Sequence, residues 1–452
     1  MLNTDLNVLT FKNHTLENNL LKTGVFISVI CYWLLGYYTK RTESIQLFSG
    51  ILILFSFYLF IVFKPNLLDR NFNFLLISSF LFRAIFILAV PALSDDYFRF
   101  IWDGRLIEAA INPFLYLPSE VQEQSLLIGE MNHELYNKMN SPHYYSVYPP
   151  LLQFVFFIAS KLSFSSNYAA IIILRMFILL AEIGTYIFLK KNLTLLNFPK
   201  EKTLIYLLNP LVIIEISGNL HFEGVMLFFI VASFYFLLLN NYIFSSTLFS
   251  LAVCTKMIPL VLLPLIMKKI GFTNGFVYSL VVLLISAVLF LPFTNQELIG
   301  HIGNSVGLYF QKFEFNASIY YLARWIGFEL SGYNEIAIIG KLLPIVSLVL
   351  IMVISFRFTP KKSDEVFFEK ALTILFVYYL FSLIIHPWYV TFLVLLSVFL
   401  KHRFALIWSF LILGTYLTYA SMPFKESVWV LLIEYGVTIA WYFSDRIKLK
   451  LA

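Results

Sequence analysis

Charge is scarce in this chain. Only 13% of its 452 residues are Asp, Glu, Lys or Arg, about half the share in a soluble domain. So few charges cannot cover a globule in water, which excludes an ordinary soluble domain. Cysteine is scarcer still. Cys31 and Cys254 are the two present and both lie in apolar runs, so no disulfide framework and no Cys/His metal site is expected. No Walker-type loop and no dinucleotide fingerprint occurs. ATP use therefore has no support, and energy for chemistry has to come from an activated substrate already in the membrane. The net charge of +6 reads as Lys and Arg in cytoplasmic loops, with no nucleic-acid partner expected. Met1–Asn19 lacks a basic start followed by a short apolar core, so it reads as a cytoplasmic tail over 1–20 and not as a cleaved signal.

Hydrophobic residues, by contrast, make up 60% of the chain, in runs near the ~20 residues that cross a bilayer as a helix. Expected membrane segments are Leu21–Tyr38, Ile45–Phe63, Phe72–Leu93, Pro150–Phe164, Tyr168–Leu189, Thr203–Ser217, Glu223–Leu239, Ser245–Met267, Gly275–Phe293, Ile336–Phe356, Phe368–Ile385, Trp388–Leu400, Phe404–Tyr419 and Val428–Phe443. The fold class is thus all-α: a polytopic transmembrane helical bundle of about 13–14 segments, some partial. Residues 21–452 form one domain, and its loop 94–149 carries short interfacial helices.

Two segments decide the topology. The positive-inside bias is kept if Pro150–Phe164 lies at the interface and Ser245–Met267 breaks at Lys256-Met257-Ile258-Pro259. Lys64/Arg70, Lys190/Lys191, Lys268/Lys269, Lys361/Lys362, Lys401/Arg403 and Arg446/Lys448/Lys450 are then cytoplasmic. Lys40-Arg41 is the exception and stays outside. The outer face collects Ser94–Pro149, Gly218–Glu223, Thr294–Asn334 and Ile385–Tyr389.

Chemistry concentrates on that face. Asp95 and Asp96 follow an apolar segment directly, where low dielectric disfavours the charged form of an acid. Asp96, Arg99 and Asp103 share one face of a helix at these spacings, with Trp102 and Arg105 beside them. The expectation is a short surface helix showing carboxylates and a guanidinium to one cavity. The bland alternative is a solvated loop with ion pairs. His221-Phe222-Glu223 fills a short outer turn, which capping alone could explain. Lys256 lies in an apolar run, where ionisable groups are functional candidates by default. His386-Pro387-Trp388-Tyr389 opens another helix. Arg83, Arg175, Glu182 and Lys341 also lie in apolar runs and read as packing or ion-pair residues.

These patches together resemble the C-type (GT-C) integral-membrane glycosyltransferases, in particular bacterial polyprenyl-phosphate-mannose-dependent mannosyltransferases. The likeness rests on Asp96-Tyr97-Phe98-Arg99-Phe100-Ile101-Trp102-Asp103-Gly104-Arg105, Asn112-Pro113-Phe114, Tyr148-Pro149-Pro150-Leu151, Asn209-Pro210-Leu211, Lys256-Met257-Ile258-Pro259-Leu260 and His386-Pro387-Trp388-Tyr389. One departure stands out. The outer turn commonly reads His-Asn-Asp in such enzymes and His221-Phe222-Glu223 here, which puts the role of Glu223 in question.

The resemblance implies a multi-pass enzyme of the bacterial inner membrane with an outward-facing site. It would move a hexose, mannose by analogy, from a polyprenyl-phosphate donor to a glycan or lipid-linked acceptor, with inversion. Asp96, with Asp95 as the close second, would be the base that a weakly nucleophilic hydroxyl needs. Lys256, Arg99 and His386 would stabilise the departing phosphate. Asp103, Trp102, Arg105, His221, Glu223, Tyr148 and Tyr389 would surround the substrate. The resembling enzymes usually need no metal, although two acids could hold Mg²⁺ or Mn²⁺ through oxygen ligands. Two other readings stay open: a flippase for lipid-linked sugars, and an O-antigen-type polymerase or ligase.

Overall fold

The computed structural model describes residues 2–126, 130–298, 300, 301, 303, 307, 313–359 and 363–451. Regular structure among them is helical, with one isolated parallel bridge between Phe315 and Ile384. Backbone groups in hydrocarbon must bond within their own segment, which leaves the helix as the solution for Leu/Ile/Phe runs. The chain is an all-α polytopic bundle, as expected.

Among the described residues, five helices are long and apolar enough to cross a membrane: Leu16–Tyr37, Ser44–Val62, Asn167–Leu195, Phe272–Phe293 and Ile336–Phe356. The helix that holds the first of these begins at Leu2 and runs to Tyr37, so it takes in the stretch read as a tail. More of the remaining segments are partial than the sequence reading expects. Phe72–Leu93 stops as a helix at Ala84 and unwinds through single turns to Ala89. Thr203–Ser217 breaks at Asn209-Pro210, because proline has no N–H to give its preceding turn. The Asn209 side chain caps the new start, accepting from the Leu211 and Val212 amides. A π-helix over Ile213–Gly218 follows, and the chain then bends by 116° into Glu223–Leu238. The break expected at Lys256 is present, between Tyr242–Val253 and a 3-10 turn at Ile258–Leu262.

The helix Asp96–Glu108 differs from the expected surface helix. Tyr97 and every residue from Arg99 to Leu106 are buried. It packs on Pro150–Leu162, a 13-residue helix of about 20 Å, too short to span the ~30 Å hydrocarbon core. The contact is close at Gly104, where a Cβ would stand 2.2 Å from the Phe156 carbonyl oxygen. Any side chain there would push the acidic helix off its support.

The two ends of the bundle differ in charge. The 19-residue helix Ser44–Val62 is about 28 Å long. Near its start, Arg41 meets Asp95. Near its end, Lys64 and Arg70 pair with Glu17, and Arg403 lies over Phe63. Lys200 lies over Phe72. Lys202 has Glu365, Arg403 and Lys401 as charged neighbours, and burial among them lowers its amine to about 8. Lys361 and Lys362 lie outside the described residues.

Candidate active site

Three chain breaks meet at the end that carries Asp95 and Asp96. The first is the unwound stretch before Ser94. The second is the π-helix and bend at Ile213–Glu223. The third is the loop Phe381–His386 with the 3-10 turn Pro387–Tyr389. Arg175, fully buried on Asn167–Leu195, clamps the first two. It donates to the carbonyls of Ile87 (3.0 Å), Ala89 (2.6 Å), Ser217 (2.8 Å) and Gly218 (3.1 Å). Both segments end there as helices, so the cation meets their unpaired carbonyls. Asn219 adds a second tie, accepting from the Leu93 amide at 3.3 Å.

The two acids sit in different surroundings. Arg41 Nη1 holds Asp95 Oδ2 at 2.6 Å while its guanidinium lies over the Tyr419 ring. That pairing accounts for the basic residue left outside by the charge rule. Asp96 is 25% exposed and has no Lys or Arg within ion-pair distance among the described residues. Its Oδ2 lies 4.0 Å from His221 Nε2, and its Oδ1 is 3.5 Å from the Asn140 amide.

His221 is 1% exposed. Its Nδ1 lies 3.0 Å from the Glu215 carbonyl and 3.2 Å from Glu215 Oε2, so both neighbours are acceptors and the ring carries its N–H there. Nε2 has no hydrogen-bond partner among the described residues. Glu215 also accepts from Tyr416 (2.7 Å) and Asn219 (3.2 Å). One face of the imidazole stacks on Trp388 at 3.6 Å, and Trp388 stacks in turn on His386 at 4.4 Å.

Lys256 reaches the same region. Its Nζ pairs with Glu223 Oε1 at 2.9 Å and lies 5.9 Å over the Tyr148 ring. Lys256 is 23% exposed at the side chain and Glu223 only 1%. Lys256 and His221 are both close enough to His386 to act on its charge. Burial first, and these two neighbours second, push the His386 imidazole down to about 3. It is therefore neutral near pH 7, which corrects the expectation of a third fixed cation.

Other expected site residues face inward. Arg99 is 3% exposed. It pairs with Asp103 at 2.7 Å and donates to the carbonyls of Ser141 and Tyr144. Asp103 accepts from Ser146 (2.5 Å) and Gln153 (3.0 Å). This network fixes the loop 141–148 to the helix and presents neither charge to the Asp96 cluster, because the turn buries that face against Pro150–Leu162. Trp102 is fully buried, and Arg105 is bound by Asn132, Asn167 and the Ser165 carbonyl. Tyr389 stands edge-on to His386 at 5.6 Å. Asp95 is engaged by Arg41, so the two acids do not form a ready oxygen set for a divalent ion. No group of three or more His, Cys, Asp or Glu side chains is placed to hold a metal among the described residues. Two clefts flank the cluster, one lined by Leu93, Gly218 and Asn219 and the other by Asn316, Thr415 and Glu426, but neither contains Asp96 or Lys256.

Glu215, Tyr416, Trp388 and Arg41 were not among the expected site residues. Glu215 could have been found: it is a lone acid in the apolar run Ile213-Ile214-Glu215-Ile216, the same signal that singles out Lys256. Tyr416 and Arg41 carry no such signal, since hydroxyls and loop arginines are ordinary near membrane ends.

The comparisons with known proteins agree with the resemblance. No curated protein and no solved structure gives a significant match. The model of the MptA_B family, described as alpha-(1->6)-mannopyranosyltransferase, N-terminal domain, matches residues 8–270. That stretch holds Asp95, Asp96, Glu215, His221, Glu223 and Lys256, and it covers more than half of the chain, which therefore belongs to this family of GT-C-type membrane mannosyltransferases.

Proposed function

We propose that the protein transfers mannose from a polyprenyl-phosphate donor to a glycan or lipid-linked acceptor at the outer membrane face, with inversion. The observation that carries this reading is the contrast between the two acids. Asp95 is neutralised by Arg41, whereas Asp96 is partly exposed, without a Lys or Arg partner among the described residues, and beside an imidazole. A hydroxyl is a poor nucleophile and needs a base within hydrogen-bond reach. Asp96 takes that role, and Asp95 positions Arg41.

The leaving phosphate gains charge as its bond to the anomeric carbon breaks. Lys256 is the accessible cation on the Tyr148 side and offsets that charge in a water-poor site. Glu223 holds Lys256 in place beside the Tyr148 ring, a role that the departure from His-Asn-Asp leaves intact because a carboxylate is kept. Tyr148, half-buried beside Lys256, offers an aromatic ring against which a sugar can lie. Outward orientation is supported by the charge asymmetry of the bundle, with Lys64, Arg70, Lys202, Lys401 and Arg403 gathered at the opposite end.

The test is mannose transfer in proteoliposomes with a synthetic polyprenyl-phosphate-mannose donor and an alkyl α-mannoside acceptor. Product should form with the wild-type protein and be lost with Asp96→Asn. Transbilayer movement of the donor without any transfer would favour a flippase and defeat the proposal.

A further inference from the structure

We infer that Glu215 and His221 form a proton relay behind Asp96, so that the acceptor's proton passes from Asp96 to His221 Nε2. This rests on the reading of Asp96 as the base. The geometry has the parts a relay needs. The Glu215 carboxylate and carbonyl both face Nδ1 and keep the N–H on that side. The lone pair at Nε2 is thereby turned toward Asp96, 4.0 Å away. Nε2 is buried and unpartnered among the described residues. That leaves the nitrogen open to accept a proton from the neighbouring carboxylate. The gap closes by a small side-chain rotation of Asp96 or through one bridging water.

The step balances as follows. The acceptor oxygen forms its bond to the anomeric carbon, and the bond from that carbon to the phosphate oxygen breaks with its electron pair left on phosphate. The acceptor's proton goes to Asp96 and then to Nε2. The resulting imidazolium lies between the Glu215 carboxylate and the face of Trp388, both of which favour a cation. Asp96 is then a carboxylate again while the product is still bound. The proton returns to water through the exposed side of Asp96 after the product leaves.

Several groups face this imidazole. Asp96 and Glu215 are acidic and favour its charged form. Lys256 and neutral His386 lie on the Trp388 side, and Lys256 opposes it. Tyr416 acts through Glu215: its hydroxyl donates to Oε1 and draws negative charge away from Nδ1. The relay therefore predicts opposite pH effects for two nearly isosteric changes. Glu215→Gln removes the charge that supports the imidazolium, so the acid limb of kcat moves to lower pH by roughly one unit. Tyr416→Phe leaves Glu215 with more charge for Nδ1, so the limb moves to higher pH. His221→Gln lowers kcat by about 10- to 100-fold with KM for both substrates nearly unchanged.

The experiment is the pH dependence of kcat for the full-length protein in proteoliposomes, with the donor and acceptor named above. Thermal unfolding midpoints confirm that each variant is folded. Opposite shifts of the acid limb for Glu215→Gln and Tyr416→Phe support the relay. Unmoved limbs in both folded variants overturn it, as does full kcat in His221→Gln. Asp96→Asn in the same assay separates the two levels. If it is fully active, the assignment of the base has failed; if it is inactive while His221→Gln is fully active, only the relay has failed. Should His221→Gln not fold, the two isosteric variants decide.

Discussion

The Arg83–Glu182–Tyr206 cluster and the Asp96–His221–Glu215 cluster both place charge inside the same bundle, and they are completed differently. Arg83 bonds to Glu182 Oε2 through Nε (3.0 Å) and Nη2 (2.8 Å), and to the carbonyls of Ser79 and Leu207 through Nη1. Tyr206 donates to the other Glu182 oxygen at 2.8 Å. None of these side chains has an unpaired buried polar atom, and both charges are wholly buried. In the second cluster, His221 Nε2 and Glu223 Oε2 have no hydrogen-bond partner among the described residues, and Asp96 and Lys256 are partly exposed. Buried charge is therefore common to both clusters. What separates them is whether the hydrogen-bonding capacity is already filled, because a filled network has nothing left to offer a substrate.

The sharpest way to break this comparison is to change one charged side chain in each cluster. Asp96→Asn should lower kcat by about 10²- to 10⁴-fold, the usual contribution of a general base, with the unfolding midpoint unchanged. Arg83→Met should do the reverse. It strands Glu182 as a buried unpaired charge, which costs about 3–5 kcal/mol of stability. The readouts are transfer rate and thermal unfolding in detergent. A stable Arg83→Met protein, or an unfolded Asp96→Asn protein, would show that the distinction is wrongly drawn.

Lys256→Gln tests the cation and comes next in size. It should reduce kcat by roughly 10- to 100-fold through lost stabilisation of the phosphate and lower the unfolding midpoint by leaving buried Glu223 unpaired; the double change with Glu223→Gln should restore the midpoint without restoring rate. A smaller effect is expected at Arg41→Gln. A partly exposed ion pair is worth about 0–1 kcal/mol, so activity should change only a few-fold; Asp95→Asn should be as mild, and a loss there as large as that of Asp96→Asn would mean that Asp95 is the base.

The last effect is confined to acid pH. His386 lies in the loop before Pro387, and burial lowers its imidazole to about 3. Between that value and the ordinary 6.5 the unfolded chain binds more protons than the folded one. This residue's contribution to stability is therefore complete above 6.5 and is lost as pH falls toward 3. His386→Gln should flatten that part of the stability curve while leaving the rate profile above pH 5 unmoved.

Much of the fold was legible in the sequence, and for local reasons. Run length and the absence of charge dictate membrane helices. The Lys256-Met257-Ile258-Pro259 break was readable because a charge and a proline interrupt an apolar run within four residues. The break at Asn209-Pro210 carries the same proline signal, yet its neighbours are so apolar that the run reads as one span. The π-helix at Ile213–Gly218 has no local signature, since it arises where the Arg175 clamp and the Glu215 carboxylate reshape a turn.

Sequence alone determined the class of molecule, the family and the end of the bundle where acids gather, because each depends on residues within one segment or on the sum over the chain. Only the folded packing decided which acid is bare. Arg41 precedes Asp95 by more than fifty positions, and Tyr416 follows Glu215 by about two hundred. Partners that distant leave no trace in spacing, and the same packing turned Arg99 and Asp103 inward to hold a loop. A carboxylate's reactivity is set by the charges and donors within a few ångströms of it, and in this protein those neighbours come from other segments of the chain.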